Sequence, residues 1–288
     1  MHWLPLIVSS AFALSLYDIC KKHTAEGNRT FTVLLLTTLC GFAFTGAMLA
    51  ATGDFDCVLA LGGKEIALLC AKALIVSASW SLAYWALKTL PVTVMAPIRA
   101  TGPVWTTIAA IILFAEIPTW LQACGFALAF AGCIAFSLAT KREGFTLHSR
   151  AIVLAAGATL FGAASALYDK FLLSSLHMPP KAVLFFFLGA MSAIYAAATL
   201  ISARLDKTPF IWRWTIPAVG ILLAISDFLY FSAVSSPDSR ISIVSTIRRS
   251  STIGTFLIGG AVFREKNLLR KGIALAAILL GVVLLSIA

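Results

Sequence analysis

The chain has 288 residues, of which 60% are hydrophobic and only 12% charged, with a net charge of +10. A soluble domain averages about 25% charged residues, so this composition excludes a soluble globular fold and points to an integral membrane protein. The basic residues stand mostly at the ends of apolar runs rather than in one stripe. They therefore read as topology signals and lipid headgroup contacts, not as a nucleic-acid surface.

Apolar runs of about 20 residues, enough to cross a hydrocarbon core about 30 Å thick, recur along the whole chain. The first five predicted spans are Trp3 to Cys20, Phe31 to Ala51, Glu65 to Leu87, Val92 to Phe114 and Pro118 to Ala139. The next five are Arg150 to Ser174, Lys181 to Ala203, Trp214 to Ser235, Arg240 to Phe263 and Leu268 to Ala288. The expected fold is all-α with ten transmembrane helices, and no intervening segment is long enough for a soluble domain. Ala11-Phe12-Ala13 has the look of a signal-peptide cleavage site, but no Lys or Arg precedes it, so the first span is expected to be retained. The cysteines Cys20, Cys40, Cys57, Cys70, Cys124 and Cys133 are scattered without a CxxC pair. They are expected to be packing residues rather than disulfides or metal ligands.

Most basic residues at span ends, Lys21, Lys22, Lys141, Arg270 and Lys271 among them, gather on the side of the odd-numbered loops; Lys64, Lys170, Lys181 and Arg240 take the other. The positive-inside rule then puts both termini outside. Lys72, Arg99, Arg248 and Arg249 lie within spans. A charge in lipid is costly and marks function or pairing.

Landmarks recur in order along the two halves. Tyr17-Asp18 near the end of the first span matches Tyr168-Asp169 near the end of the sixth. Tyr84-Trp85-Ala86-Leu87 resembles Phe231-Ser232-Ala233-Val234, and Ile98-Arg99 matches Ile247-Arg248. Each arginine precedes a Glu by seventeen residues, from position 99 to 116 and from 248 to 265. The expected organisation is two five-helix repeats, residues 3–139 and 150–288. Five is odd, so the second copy enters the membrane from the opposite face, an inversion associated with alternating access around a midplane site.

The stretch Ala83-Tyr84-Trp85-Ala86-Leu87-Lys88-Thr89-Leu90-Pro91, the run Phe114-Ala115-Glu116-Ile117-Pro118 and its second copy Phe263-Arg264-Glu265-Lys266 resemble the drug/metabolite transporter superfamily, EamA-like branch. The resemblance covers essentially the whole chain. It implies an inner (cytoplasmic) membrane location and secondary transport of small metabolites, often export. It also implies a cavity walled by the first, third, fourth, sixth, eighth and ninth spans, with cytoplasmic termini. The charge count opposes that last point, and the orientation stays open.

Asp18 with Arg99, and Asp169 or Asp227 with Arg248, are candidate gating pairs in opposite leaflets. The same arginines are candidates for an anionic or zwitterionic substrate, because a guanidinium grips carboxylate or phosphate with two prongs. Trp80 and Tyr84, with Tyr230 and Asp227, complete the expected lining, and Asp227 is the candidate proton-coupling carboxylate. The competing reading makes these static pairs that fix helix register. Arg249, about 100° around the helix from Arg248, is expected to reach a headgroup, and Lys72 either to snorkel toward its helix start or to add a cation to the cavity. Pro97 and Pro103 should bend the fourth span. The spacings Gly125-xxx-Ala129 and Ala277-xxx-Gly281 suit close packing within the monomer or a homodimer interface.

An intramembrane enzyme lacks its equipment here: the histidines His2, His23, His148 and His177 all fall in loops or at span ends. No catalytic residue, metal or cofactor is expected, and Gly63-Lys64-Glu65 is no phosphate-binding loop. A flippase for a lipid-linked sugar or other amphipathic headgroup remains the rival to a small-molecule carrier.

Overall fold

A computed structural model describes residues 3–102, 104–105, 119–141, 149–203, 207–236, 244, 247–263 and 267–287. Ten longer helices occur among these residues, together with a single turn at Asp56–Leu59 and no strand. They are α1 Trp3–Ala25, α2 Thr30–Thr52, α3 Gly63–Thr89, α4 Val92–Ala100 and α5 Trp120–Lys141. The second set is α6 Ser149–Lys170, α7 Pro180–Ser202, α8 Thr215–Val234, α9 Ser251–Val262 and α10 Leu268–Ile287. Six of them, α1, α2, α3, α6, α7 and α8, are long and apolar enough to cross a membrane. Their outer faces are apolar too, with Val8, Phe12, Leu74 and Val153 exposed, as a lipid-facing surface requires.

The helices pair across the two halves. α1 packs on α8 and α3 on α6, while α2 packs on α7, α4 on α9 and α5 on α10. Small residues set the closest approaches. A side chain at Gly220 of α8 would collide with the Thr37 carbonyl of α2, and one at Gly281 of α10 would lie 2.6 Å from the Gly125 carbonyl of α5. The two small-xxx-small stripes thus meet each other within one chain. Serines tie the pairs laterally. Ser10 Oγ donates to the Ser226 carbonyl at 2.7 Å, and Ser226 Oγ returns the bond to the Ser10 carbonyl at 3.0 Å.

The first helix departs from expectation at its end. It runs to Ala25 rather than stopping at Cys20, which carries Lys21 and Lys22 inside the bundle. Lys22 Nζ donates to the carbonyls of Leu87 and Leu90 at 2.7 and 3.1 Å, satisfying acceptors that the end of α3 leaves open. Lys271 is buried as well and donates to Thr93 at 3.5 Å. These three lysines are internal hydrogen-bond donors, so they carry no topology signal and leave the positive-inside count.

α4 and α9 share one local feature. At Thr101 the backbone N–H bonds the Ile98 carbonyl at 3.2 Å, and its hydroxyl donates to the same oxygen at 2.7 Å. At Ser250 the N–H bonds the Ile247 carbonyl at 3.0 Å, and the hydroxyl donates to it at 2.6 Å. Both are tight three-residue turns that interrupt the α-helical ladder. Each falls two residues after an intramembrane arginine, Arg99 or Arg248. Pro97 lies within α4; Pro103, Glu116, Glu265 and the expected start of the ninth span at Arg240 lie outside the described residues.

Candidate functional site: a charged cavity between the helices

A cavity of about 200 Å³ opens between α1, α3, α4, α6, α8 and α9, with Phe187 of α7 also on its wall. Three cation–carboxylate pairs border it. Arg99 of α4 pairs with Asp18 of α1, Arg248 pairs with Asp227 of α8, and Lys72 of α3 pairs with Asp169 of α6. Every pair joins two different helices, so each holds the bundle together across the cavity.

The first of these follows the expected pairing, and the second resolves the alternative left open for Arg248 in favour of Asp227. Asp227 and Tyr230 are three residues apart and share one face of α8. Tyr230 accordingly lies under the Arg248 guanidinium, 3.9 Å from ring centre to carbon. An arginine held by a carboxylate at its edge and a ring on its face is fixed in orientation. Asp18 has a second partner, the Thr255 hydroxyl at 3.4 Å.

Asp169 has Lys72 rather than Arg248 as its partner, and Lys72 takes the second of its two expected roles, a cation at the cavity. Lys72 does not snorkel to the start of α3. Its ammonium pairs with Asp169 and lies 4.8 and 4.7 Å from the ring centres of Phe187 and Phe231. Its side chain is 2% exposed, since a carboxylate and two aromatic faces offer it more than a long reach through apolar packing would. α6 continues past Asp169 into a π-helical turn at Phe171–Ser175, a departure from regular helix of the kind often found beside sites.

Arg249 is a further correction. It borders the cavity rather than reaching a headgroup. Arg248 turns toward α8, while Arg249 turns the other way, across the end of α4, where its guanidinium donates to the Arg99 carbonyl at 3.4 Å. A cation suits the carbonyl end of a helix. Gly102 makes room for it, because a side chain there would come within 2.8 Å of the guanidinium.

Lys21 completes the set and was not singled out by the sequence. Its ammonium donates to the Tyr17 hydroxyl at 3.2 Å. It lies 5.2, 5.5 and 4.9 Å from the ring centres of Tyr17, Trp80 and Tyr84. Trp80 and Tyr230 line the cavity, whereas Tyr84 is wholly buried behind Lys21 and contributes a ring, not a wall. The available signal was spacing: Lys21 follows Asp18 by three residues and so shares its helix face.

Residues 1–138 match the profile of the EamA-like transporter family. Over those residues the chain is similar to the EamA-like transporter family. It is a multi-pass membrane protein and a membrane transporter of the drug/metabolite type. None of the curated proteins gives a significant match. A solved structure described only as "Crystal structure of protein" has the same fold, with a TM-score of 0.65 over 96% of each chain at 17% identity. No cluster of His, Cys, Asp and Glu able to hold a metal occurs among the described residues of this EamA-like chain.

Proposed function

We propose that this protein is a secondary active transporter that moves a small anionic or zwitterionic metabolite across the cytoplasmic membrane by alternating access. One observation carries the reading: a single cavity between the helices is bordered by three ion pairs, each joining two helices. All ten helices act as spans in two inverted repeats, residues 3–139 and 150–288. The pairing of α1 with α8, α3 with α6, α2 with α7, α4 with α9 and α5 with α10 supports this. Exchanging the two halves leaves that set of partners unchanged, as a two-fold repeat requires.

In this mechanism the substrate's anionic group competes with Asp227 for the Arg248 guanidinium, and Asp18 with Arg99 forms the second gate. The matching turns at Thr101 and Ser250 lie beside the two arginines and supply hinges where the backbone can bend without losing its hydrogen bonds. Asp227, released from Arg248, is the proton-coupling carboxylate. The resemblance to a family whose members often export supports export over import. At about 200 Å³ the cavity falls below the range of about 300–1,000 Å³ usual for drug-sized ligands, which favours a compact solute over a lipid-linked sugar.

The test is counterflow into liposomes holding the purified chain. The wild type should show saturable uptake of a pre-loaded solute, and Arg248→Ala and Asp227→Asn should abolish it while inserting normally. Normal transport by both variants removes the gates from the mechanism. Headgroup scrambling without solute uptake replaces the carrier with a flippase.

A further inference from the structure

The charges around the cavity do not balance. Among the described residues, five cations border it (Lys21, Lys72, Arg99, Arg248 and Arg249) against three carboxylates, Asp18, Asp169 and Asp227, a formal excess of two. Each carboxylate is taken by a different cation, leaving Lys21 and Arg249. Neither has a carboxylate in ion-pair contact among the described residues. Among the described residues, Lys21 meets the Tyr17 hydroxyl and aromatic faces, and Arg249 a backbone carbonyl at 3.4 Å. Rings and carbonyl dipoles orient a cation but do not neutralise it. Lys21 is 2% exposed, so bulk water does not compensate it either.

We infer that the transported solute is a compact dianion, such as a dicarboxylate or a phosphate monoester, held by Lys21 and Arg249 beside Arg99. The inference rests on the carrier reading and narrows its substrate class. Arg249 reaches the Arg99 backbone carbonyl at 3.4 Å, and Lys21 stands one turn along α1 from Asp18, the partner of Arg99, so the excess charge is gathered around one side of the cavity rather than spread over it. A zwitterion would bring no net charge and leave the excess in place. A monoanion would cancel half of it. A solute with two negative charges restores neutrality on entry, while the three structural pairs are still made and before its anionic group competes for Arg248, which is the entry state of least electrostatic cost in a poorly solvated site.

The experiment uses near-isosteric probes that differ by one charge: succinate against succinamate, and sn-glycerol 3-phosphate against its methyl ester. Each competes for counterflow by the full chain in liposomes at pH 7.5. The dianion should compete at least about tenfold better than the monoanion in one pair or both. Lys21→Met and Arg249→Met should each erase that preference by weakening the dianion about tenfold to a hundredfold, the effect of one lost charge-assisted hydrogen bond. Lys21→Arg, which keeps the charge, should preserve the preference and so separates charge from packing. If the monoanions or the zwitterion 4-aminobutyrate are carried and the dianions are not, the dianion assignment falls and the carrier stands. If none of the probes competes, the assignment likewise falls. If only lipid headgroups move, the carrier reading falls with it.

Discussion

Removing one member of the Asp227–Arg248 pair should cost more than removing both. The side chains of Asp227 and Arg248 are 12% and 19% exposed, so the pair is largely shielded but touches the cavity. Two unit charges 4 Å apart attract by about 4 kcal/mol at an effective dielectric constant near 20. Cavity water on the exposed fraction reduces that, and a coupling of about 2 kcal/mol is expected. Asp227→Asn strands the guanidinium beside Tyr230, and Arg248→Gln strands the carboxylate. The double variant strands neither. A double-mutant cycle on thermal unfolding of the purified protein in detergent isolates the term. The same cycle on Asp18 and Arg99 should give a smaller value, because Arg99 is 32% exposed. A coupling at Asp227–Arg248 below about 0.5 kcal/mol, the range of surface pairs, would refute the claim that the cavity shields its charges.

Other expectations follow from the geometry. Gly220→Val places a branched side chain against the Thr37 backbone where α8 meets α2, and should destabilise the fold by about 1–3 kcal/mol; unchanged thermal stability would mean the two helices do not approach so closely. Thr101→Val and Ser250→Ala remove the hydroxyls that secure the two turns. Each bond contributes about 0.5–1.5 kcal/mol, so counterflow should slow about twofold to tenfold with solute affinity unchanged, and an altered affinity at full speed would contradict a hinge role. Outside the spans, a hydrogen bond from Lys181 and a second from Thr52 hold the Asp54 carboxyl below its ordinary range. A depressed carboxyl stabilises the loop above its ordinary titration range and loses that effect as pH falls through the lowered value. Lys181→Met should therefore raise the Asp54 titration midpoint in a carboxyl NMR experiment; an unmoved midpoint would show the contact is absent in solution.

The six helices long and apolar enough to cross a membrane were legible because lipid imposes a simple length rule on apolar runs. Arg99 and Arg248 stood out because a charge in such a run needs a partner, and Tyr17-Asp18 supplied the acid for Arg99; the repeat pointed to Asp169 for Arg248, but Asp227 is its partner and Asp169 pairs with Lys72. What escaped was decided by residues distant in sequence. A lysine one turn past Asp18 reads as the end of a span unless Trp80 and Tyr84 are known to lie beside it. The choice for Lys72 between snorkelling and the cavity could not be made from sequence because its partner, Asp169, sits in the other half. Arg249 looked redundant with Arg248 because helical geometry turns them apart, yet the cavity has walls on both sides. The small-residue stripes announced close packing in α5 and α10 without saying that each was the other's partner.

Alternating access is best tested at Ser165, which lies on α6 at the cavity wall. In a variant whose native cysteines are replaced, Ser165→Cys would be treated with a membrane-impermeant thiol reagent from either face of sealed, uniformly oriented vesicles. The account predicts labelling from both faces, with a saturating solute shifting the balance between them. Labelling from one face only, unmoved by any solute, would contradict a cavity that opens in turn to the two sides.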